Sequence, residues 1–168
     1  ERLFEFAIAT AAHSFNNRTV HNDLDGAGDA GDAGDAAANR CAVHCLEHPH
    51  TYVNKMLFGF SDGSLALWNV RKAKRVHAFV GWPRVPVTCL VQSPALDVIA
   101  VGLADGRIML HNIRTDQTVL AFSQRGAVTT LAFRTDERPW LASGDAAGQI
   151  ALWSLEKRSL LTVLPRAH

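Results

Sequence analysis

The chain has 168 residues, 48% of them hydrophobic, and a formal net charge of +1. A balance this close to neutrality gives no electrostatic argument for nucleic-acid binding by the chain as a whole. Three cysteines (Cys41, Cys45, Cys89) without disulfide-type spacing favour a reducing compartment. No apolar run reaches the length of a membrane span, and Glu5 interrupts the one apolar start that a signal peptide could use, so a soluble intracellular setting is expected.

In chain order, Leu3 to Thr10 reads as a strand and Ala12 to Val20 as another, so residues 1–24 are expected to form part of a preceding unit. From Asp25 to Ala38 the composition shifts to Gly, Ala and Asp. Such a stretch cannot bury enough surface to offset chain entropy, and residues 25–39 are expected to be a disordered acidic insert. Asp29, Asp32 and Asp35 recur every third residue, but the period departs from calcium-binding nonapeptide repeats and the apolar residue that would build a coil is missing. Without the four aspartates of this insert, Asp25 included, the 16 acidic residues fall to 12 against 17 basic ones, so the remainder is mildly basic.

Next comes a crowd of metal-ligand residue types: Cys41, His44, Cys45, His48 and His50. Structural zinc sites draw on two separated ligand pairs, and here there is one clump. Ala42 to Leu46 also reads as a strand, with Cys41 and Cys45 on one face and His44 on the other. No metal site is expected, and no cofactor.

Three later segments share one grammar: Ser61 to Val70, Ala104 to Ile113 and Ala146 to Leu155. Their turn glycines Gly63, Gly106 and Gly148 are 43 and then 42 positions apart, and the closing residues Trp68, His111 and Trp153 keep those spacings. Each turn is preceded by an apolar strand (Met56 to Phe60, Val98 to Leu103, Trp140 to Ser143) and followed by an alternating one. Val87 to Val91 and Val128 to Phe133 open the last two units. Arg75 to Phe79, Thr118 to Phe122 and Leu160 to Val163 close the three.

Four short strands per unit, apolar on both faces, need similar neighbours on each side. The period of ~40–45 residues ending in Trp-Asp or a relative of it is that of a WD-repeat propeller blade. The expected fold is an all-β WD-repeat β-propeller: three four-stranded blades over residues 40–168, plus the partial N-terminal blade. Propellers close with about four to eight blades, so the chain is expected to be a piece of a longer polypeptide. Arg166-Ala167-His168 resembles the Gly-His that opens a further repeat.

Nothing in the chain points to catalysis: it has no nucleophile elbow, no phosphate-cradling glycine loop and no His-Glu-x-x-His. Gly102 to Gly106 ends a strand with no helix after it, and Ser93 and Asp97 are near His111 only in sequence. Trp68 and Trp153 are expected to fill the space between sheets, with His111 as the smaller substitute. The Asp that follows Trp in the strongest form of the repeat is replaced by Asn69, Asn112 and Ser154, so these blades are expected to be less rigid than consensus ones.

A narrower likeness lies outside the generic repeat. His48-Pro49-His50-Thr51-Tyr52-Val53-Asn54-Lys55, with Leu65 to Val70 after it, resembles the His-Pro-x-Thr-Tyr-Leu-Asn-Lys segment of one WD-repeat subfamily. Gln92 to Gly102, His111 to Ile113, Phe133 to Asp136 and Arg166 to His168 continue it in order, while Glu137 stands where that subfamily tends to have Gly. The subfamily is the Utp-twenty-one type, a subunit of the UTP-B complex of the small-subunit processome. The resemblance implies a non-enzymatic scaffold in the nucleus and nucleolus, working in small ribosomal subunit biogenesis. It implies other WD-repeat subunits of a large ribonucleoprotein assembly as partners and no membrane. Contact with precursor ribosomal RNA and guide small nucleolar RNA is expected to be indirect, given the near-neutral charge. His48, Pro49, Thr51, Tyr52, Asn54 and Lys55 are the candidate motif residues, for partner contact or for inter-blade packing. The competing reading is a generic WD-repeat adaptor, such as a ubiquitin-ligase substrate receptor or a trafficking coat component.

Overall fold

The computed structural model describes residues 41–134, 136 and 138–164. The strands expected in residues 1–24, the acidic insert and the Arg166-Ala167-His168 ending lie outside them. The described chain holds twelve strands and no helix, hence no helix long and apolar enough to cross a membrane. Strands β1 (Val43–Glu47), β2 (Lys55–Phe60), β3 (Leu65–Asn69) and β4 (Lys74–Ala78) form one antiparallel sheet in chain order. The second sheet is β5 (Val87–Gln92), β6 (Val98–Leu103), β7 (Arg107–Asn112) and β8 (Gln117–Ser123). The third is β9 (Val128–Phe133), β10 (Trp140–Asp145), β11 (Ile150–Ser154) and β12 (Ser159–Leu164).

The turns explain why the strands fold back where they do. Gly63, Gly106 and Gly148 join the second and third strands of each sheet at φ of 86°, 90° and 80°, the left-handed region open to glycine. An aspartate tightens each turn: Asp62 Oδ1 accepts the Ser64 N–H at 2.8 Å, Asp105 Oδ1 that of Arg107 at 3.1 Å, and Asp145 Oδ1 those of Ala147 and Gln149 at 2.9 Å. The turns between third and fourth strands are built differently. Ala73, Asp116 and Arg158, none of them glycine, take φ of 47°, 54° and 53° there. Asn69, Asn112 and Ser154 cap these turns, accepting backbone N–H groups of Lys72, of Arg114 and Thr115, and of Lys157. Replacing the consensus Asp therefore leaves each position a local task, holding the outer hairpin through a side-chain oxygen.

The sheets stack face to face, with β1 against β5 and β5 against β9 as the innermost strands. Between the first and second sheets, Leu57, Leu65, Leu67, Val87, Ile99 and Val101 form a core, each at most 3% exposed. Ile108, Leu110, Val128, Leu131, Leu141 and Trp153 form the next. On the other face of the first sheet, Met56, Phe58, Phe60, Ala66 and Trp68 are buried with Cys41. The far face of the third sheet is open: Ile150, Leu160 and Leu164 are 43–47% exposed.

One sequence expectation fails here. Cys41 packs with Phe58 and Trp68, whereas Cys45 packs on the opposite face, toward the second sheet. The register against β2 slips between Val43 and Cys45, and this bulge turns the side chains after it to the other side.

Candidate functional site

Two features of the blade seams organise the candidate site. The first is an aromatic relay. Phe122, near the end of β8, stacks on Trp153 of β11 with ring centroids 5.0 Å apart and planes at 29°. Phe79, just after β4, meets His111 of β7 edge-on at 5.3 Å, and Trp82 covers the same His111 at 4.9 Å. His111 and Trp153, near the ends of the third strands of the second and third sheets, thus each receive a ring from the outer end of the sheet before. Over His111 the linker supplies Trp82; beside Trp153 no linker ring does so, and a cleft of about 520 Å³ opens there, lined by Gln124, Arg125, Gln149, Leu160 and Val163.

Polar groups fix these rings. Trp153 Nε1 donates to Ser143 Oγ at 2.8 Å, and Ser143 Oγ donates in turn to Gln124 Oε1 at 2.5 Å. In the first sheet Phe58 stands where Ser143 stands in the third, each opposite the Ala before the closing Trp but one. Trp68 Nε1 is accordingly buried without a partner among the described residues. In the second sheet Asp116 clamps two imidazoles from different sheets, His77 Nε2 at 2.8 Å and His111 Nε2 at 3.1 Å. Burial holds the His111 pKa below its ordinary value, against the opposing pull of the Asp116 carboxylate.

The second feature is the His48–Lys55 segment. It forms the loop between β1 and β2, and it reaches across to the β5–β6 loop of the next sheet. Thr51 Oγ1 donates to Asp97 Oδ1 at 2.6 Å, and Asp97 is 6% exposed with φ of 58°. The His50 N–H reaches Gln92 Oε1 at 3.4 Å. Pro49 is fully buried and its carbonyl accepts the Tyr52 N–H, closing the turn. Tyr52 packs against the core between the first two sheets, with the Lys55 ammonium 4.2 Å above its ring. Burial, reinforced by the Asp97 carboxylate, raises the Tyr52 pKa. The Asn54 carbonyl accepts the Val70 N–H. His48 and Val53 face solvent.

The metal-ligand crowd does not converge. Cys41 and Cys45 are on opposite faces, His44, His48 and His50 are exposed, and no group of three His, Cys, Asp or Glu side chains among the described residues is arranged to hold a metal ion. Burial, with the neighbouring Cys89 thiol second, pushes Cys45 up to about 12. Ser93 and Asp97 hold their own loop: Ser93 Oγ accepts the Ala95 N–H, and the Asp97 carbonyl accepts that of Ile113.

Sequence reading overlooked a second set of glycines. A Cβ on Gly59 would lie 2.5 Å from Val87 Cγ1 and 2.7 Å from Cys45 Sγ; on Gly102 it would lie 2.5 Å from Cys89 Sγ and 2.7 Å from Val128 Cγ1. These glycines let the innermost strand of the next sheet approach. Gly59, Gly102 and Gly144 follow the same 43 and 42 spacing as the turn glycines, which was the available signal.

Comparison with known proteins accords with this geometry. The family model described as WDR36/Utp21 first beta-propeller matches residues 18–168. WD repeat-containing protein 36 of Homo sapiens is 44% identical over 127 residues, 75% of this chain and 14% of that protein. The U3 small nucleolar RNA-associated protein 21 homolog of Schizosaccharomyces pombe is 46% identical over 126 residues, again 75% of this chain and 14% of that protein. Among solved structures, that of U3-55K superimposes with a TM-score of 0.64 over 78% of this chain and 41% of that one, at 22% identity, a likeness of fold alone. The chain matches about a seventh of the length of these curated relatives. It belongs to the WDR36/Utp21 first beta-propeller family.

Proposed function

We propose that this chain is part of a non-enzymatic scaffold subunit in small ribosomal subunit biogenesis, acting in pre-ribosomal RNA processing within the small-subunit processome. The observation that carries the reading is the 46% identity to a U3 small nucleolar RNA-associated protein homolog, joined to the family match over residues 18–168. A rigid stack of small sheets suits the role, because its loops and outer edges can meet several partners at once. The partners proposed are other WD-repeat subunits of the same ribonucleoprotein assembly, and the location is the nucleolus. Within the chain, the His48–Lys55 loop serves as an inter-blade latch through Thr51 and Asp97, and its exposed His48 and Val53 are left for a partner.

Affinity purification of the tagged protein tests this. Recovery of other propeller subunits and of small-subunit precursor RNA is expected, and depletion should stop small-subunit maturation while sparing the large subunit. Recovery of a ubiquitin ligase or a vesicle coat without ribosomal precursors would replace the reading with the generic adaptor.

A further inference from the structure

We propose that one end of this stack, the end carrying the β1–β2 and β3–β4 turns and their counterparts, binds the phosphate backbone of RNA directly. The inference deepens the function proposed above by giving the RNA a place on this chain. The near-neutral total charge had suggested an indirect contact, but the charge is segregated.

At the proposed end, the outer turns present Arg71, Lys72 and Lys74 in the first sheet, Arg114 in the second, and Lys157 and Arg158 in the third. All six are exposed, and none has a carboxylate within salt-bridge distance among the described residues. The carboxylates of that end are mostly committed. Asp97 is buried against Thr51, Asp116 holds two histidines, and Asp136 pairs with Arg134. Glu47 is half-buried, which leaves Glu156, among the described residues, as the exposed carboxylate of these turns without an ion pair. Among the described residues the opposite end is balanced, with Asp62, Asp105 and Asp145 set against Arg84, Arg107 and Arg125.

The form of the surface selects the ligand. Neither the cleft lined by Gln124, Arg125, Trp153 and Leu160 nor the one lined by Asp62 and Arg84 includes any of these six cations. A polymer that displays regularly spaced phosphates on its outside needs only projecting cations held on rigid turns. The rings at the cationic end are already occupied: Lys55 covers Tyr52, and the guanidinium groups of Arg134 and Arg138 lie 4.9 and 5.4 Å from the Trp140 centroid. With Tyr52 and Trp140 so covered, the contact is chiefly with the backbone and largely indifferent to sequence.

The test uses fluorescence anisotropy with labelled oligouridylate and oligoadenylate on the purified protein. Equal affinity for the two is expected, falling steeply with salt. The variant R71Q/K72Q/K74Q should bind roughly tenfold more weakly, and its log–log salt slope should be shallower by about 2, at about 0.7 per lost contact. The control R84Q/R125Q, at the balanced end, should bind as the parent does. All five positions are outside the cores, so an unchanged melting curve certifies the fold of each variant. Parent-like binding by the triple variant overturns the proposal, as does tighter binding of poly-glutamate than of RNA, which would indicate an acidic protein partner. If the triple variant loses RNA binding in vitro but the parent recovers no ribosomal precursors from cells, the functional reading fails and the RNA surface stands. If precursors are recovered and the parent does not bind the oligonucleotides, the reverse holds.

Discussion

Phe122 and Trp153 stack at 5.0 Å although they come from different sheets, and the Trp153 indole is also hydrogen-bonded within its own sheet to Ser143. One residue therefore carries two kinds of restraint, packing across a seam and a polar tie within a blade. Trp153→Ala should cost about 3–5 kcal/mol, read as a lowered denaturant midpoint. No change in midpoint would remove Trp153 from the packing.

Trp68 and Trp153 are equivalent in position and unequal in hydrogen bonding. Trp68 Nε1 has no partner among the described residues, whereas removal of Trp153 Nε1 takes from Ser143 Oγ the donor it accepts from and leaves it only its bond to Gln124. Both rings are 4–5% exposed, so the apolar loss on going to Phe is similar. Trp153→Phe should therefore be more destabilising than Trp68→Phe by about 1 kcal/mol in matched urea titrations. The opposite order would show that the polar tie contributes nothing.

Gly102→Ala places a methyl group 2.5 Å from Cys89 Sγ and 2.7 Å from Val128 Cγ1, inside the seam between the second and third sheets. Two flanking strands must give way, and a loss of about 1–3 kcal/mol is expected by thermal denaturation. Gly81→Ala, at φ of 76° but with nothing within 4 Å of the added carbon, is the informative partner, since it reports backbone strain without a clash.

Thr51→Ala should leave the buried Asp97 carboxylate short of a donor and cost about 1–3 kcal/mol, with Thr51→Ser restoring most of it. Hydrogen exchange along residues 48–54 should rise in the Ala variant. Parent-like protection would mean that the loop is held without the latch.

Stability should also respond to pH through His111. Burial lowers its pKa in the folded chain, so the unfolded chain takes up a proton first as pH falls. Stability from this group is thus full above the unfolded value, about 6.5, and declines as pH drops below it toward the folded value. Melting temperatures measured between neutral pH and about pH 5 should fall less in His111→Phe than in the parent. Equal slopes would assign the acid response to other groups.

Much of the fold was legible because turn chemistry repeats in register. Gly63, Gly106 and Gly148 announce the hairpins, and all three adopt the positive φ that such turns demand. The faces of β1 were not legible, because strict alternation assumes a regular ladder and a bulge between Val43 and Cys45 breaks it. The candidate site was read only in part. The motif His48 to Lys55 stood out in sequence, but its tie to Asp97 spans 46 positions and needs a knowledge of which loops share an end. The tie of Asp116 to His77, 39 positions away in another sheet, is hidden for the same reason.

The relay of rings has a consequence for building with these units. Each seam is a matched lock between an outer-strand residue and the closing residue of the sheet after it: Phe79 and Trp82 fit an imidazole, and Phe122 fits an indole. The blades are therefore directional modules with different couplings, and their order is not free. A graft that exchanged the second and third sheets while keeping their neighbours would set Trp153 under Phe79 and Trp82, in a space already filled around a smaller ring. A transplant that respects the couplings must cut within a sheet, between its inner and outer strands, so that each Phe travels with the residue that receives it.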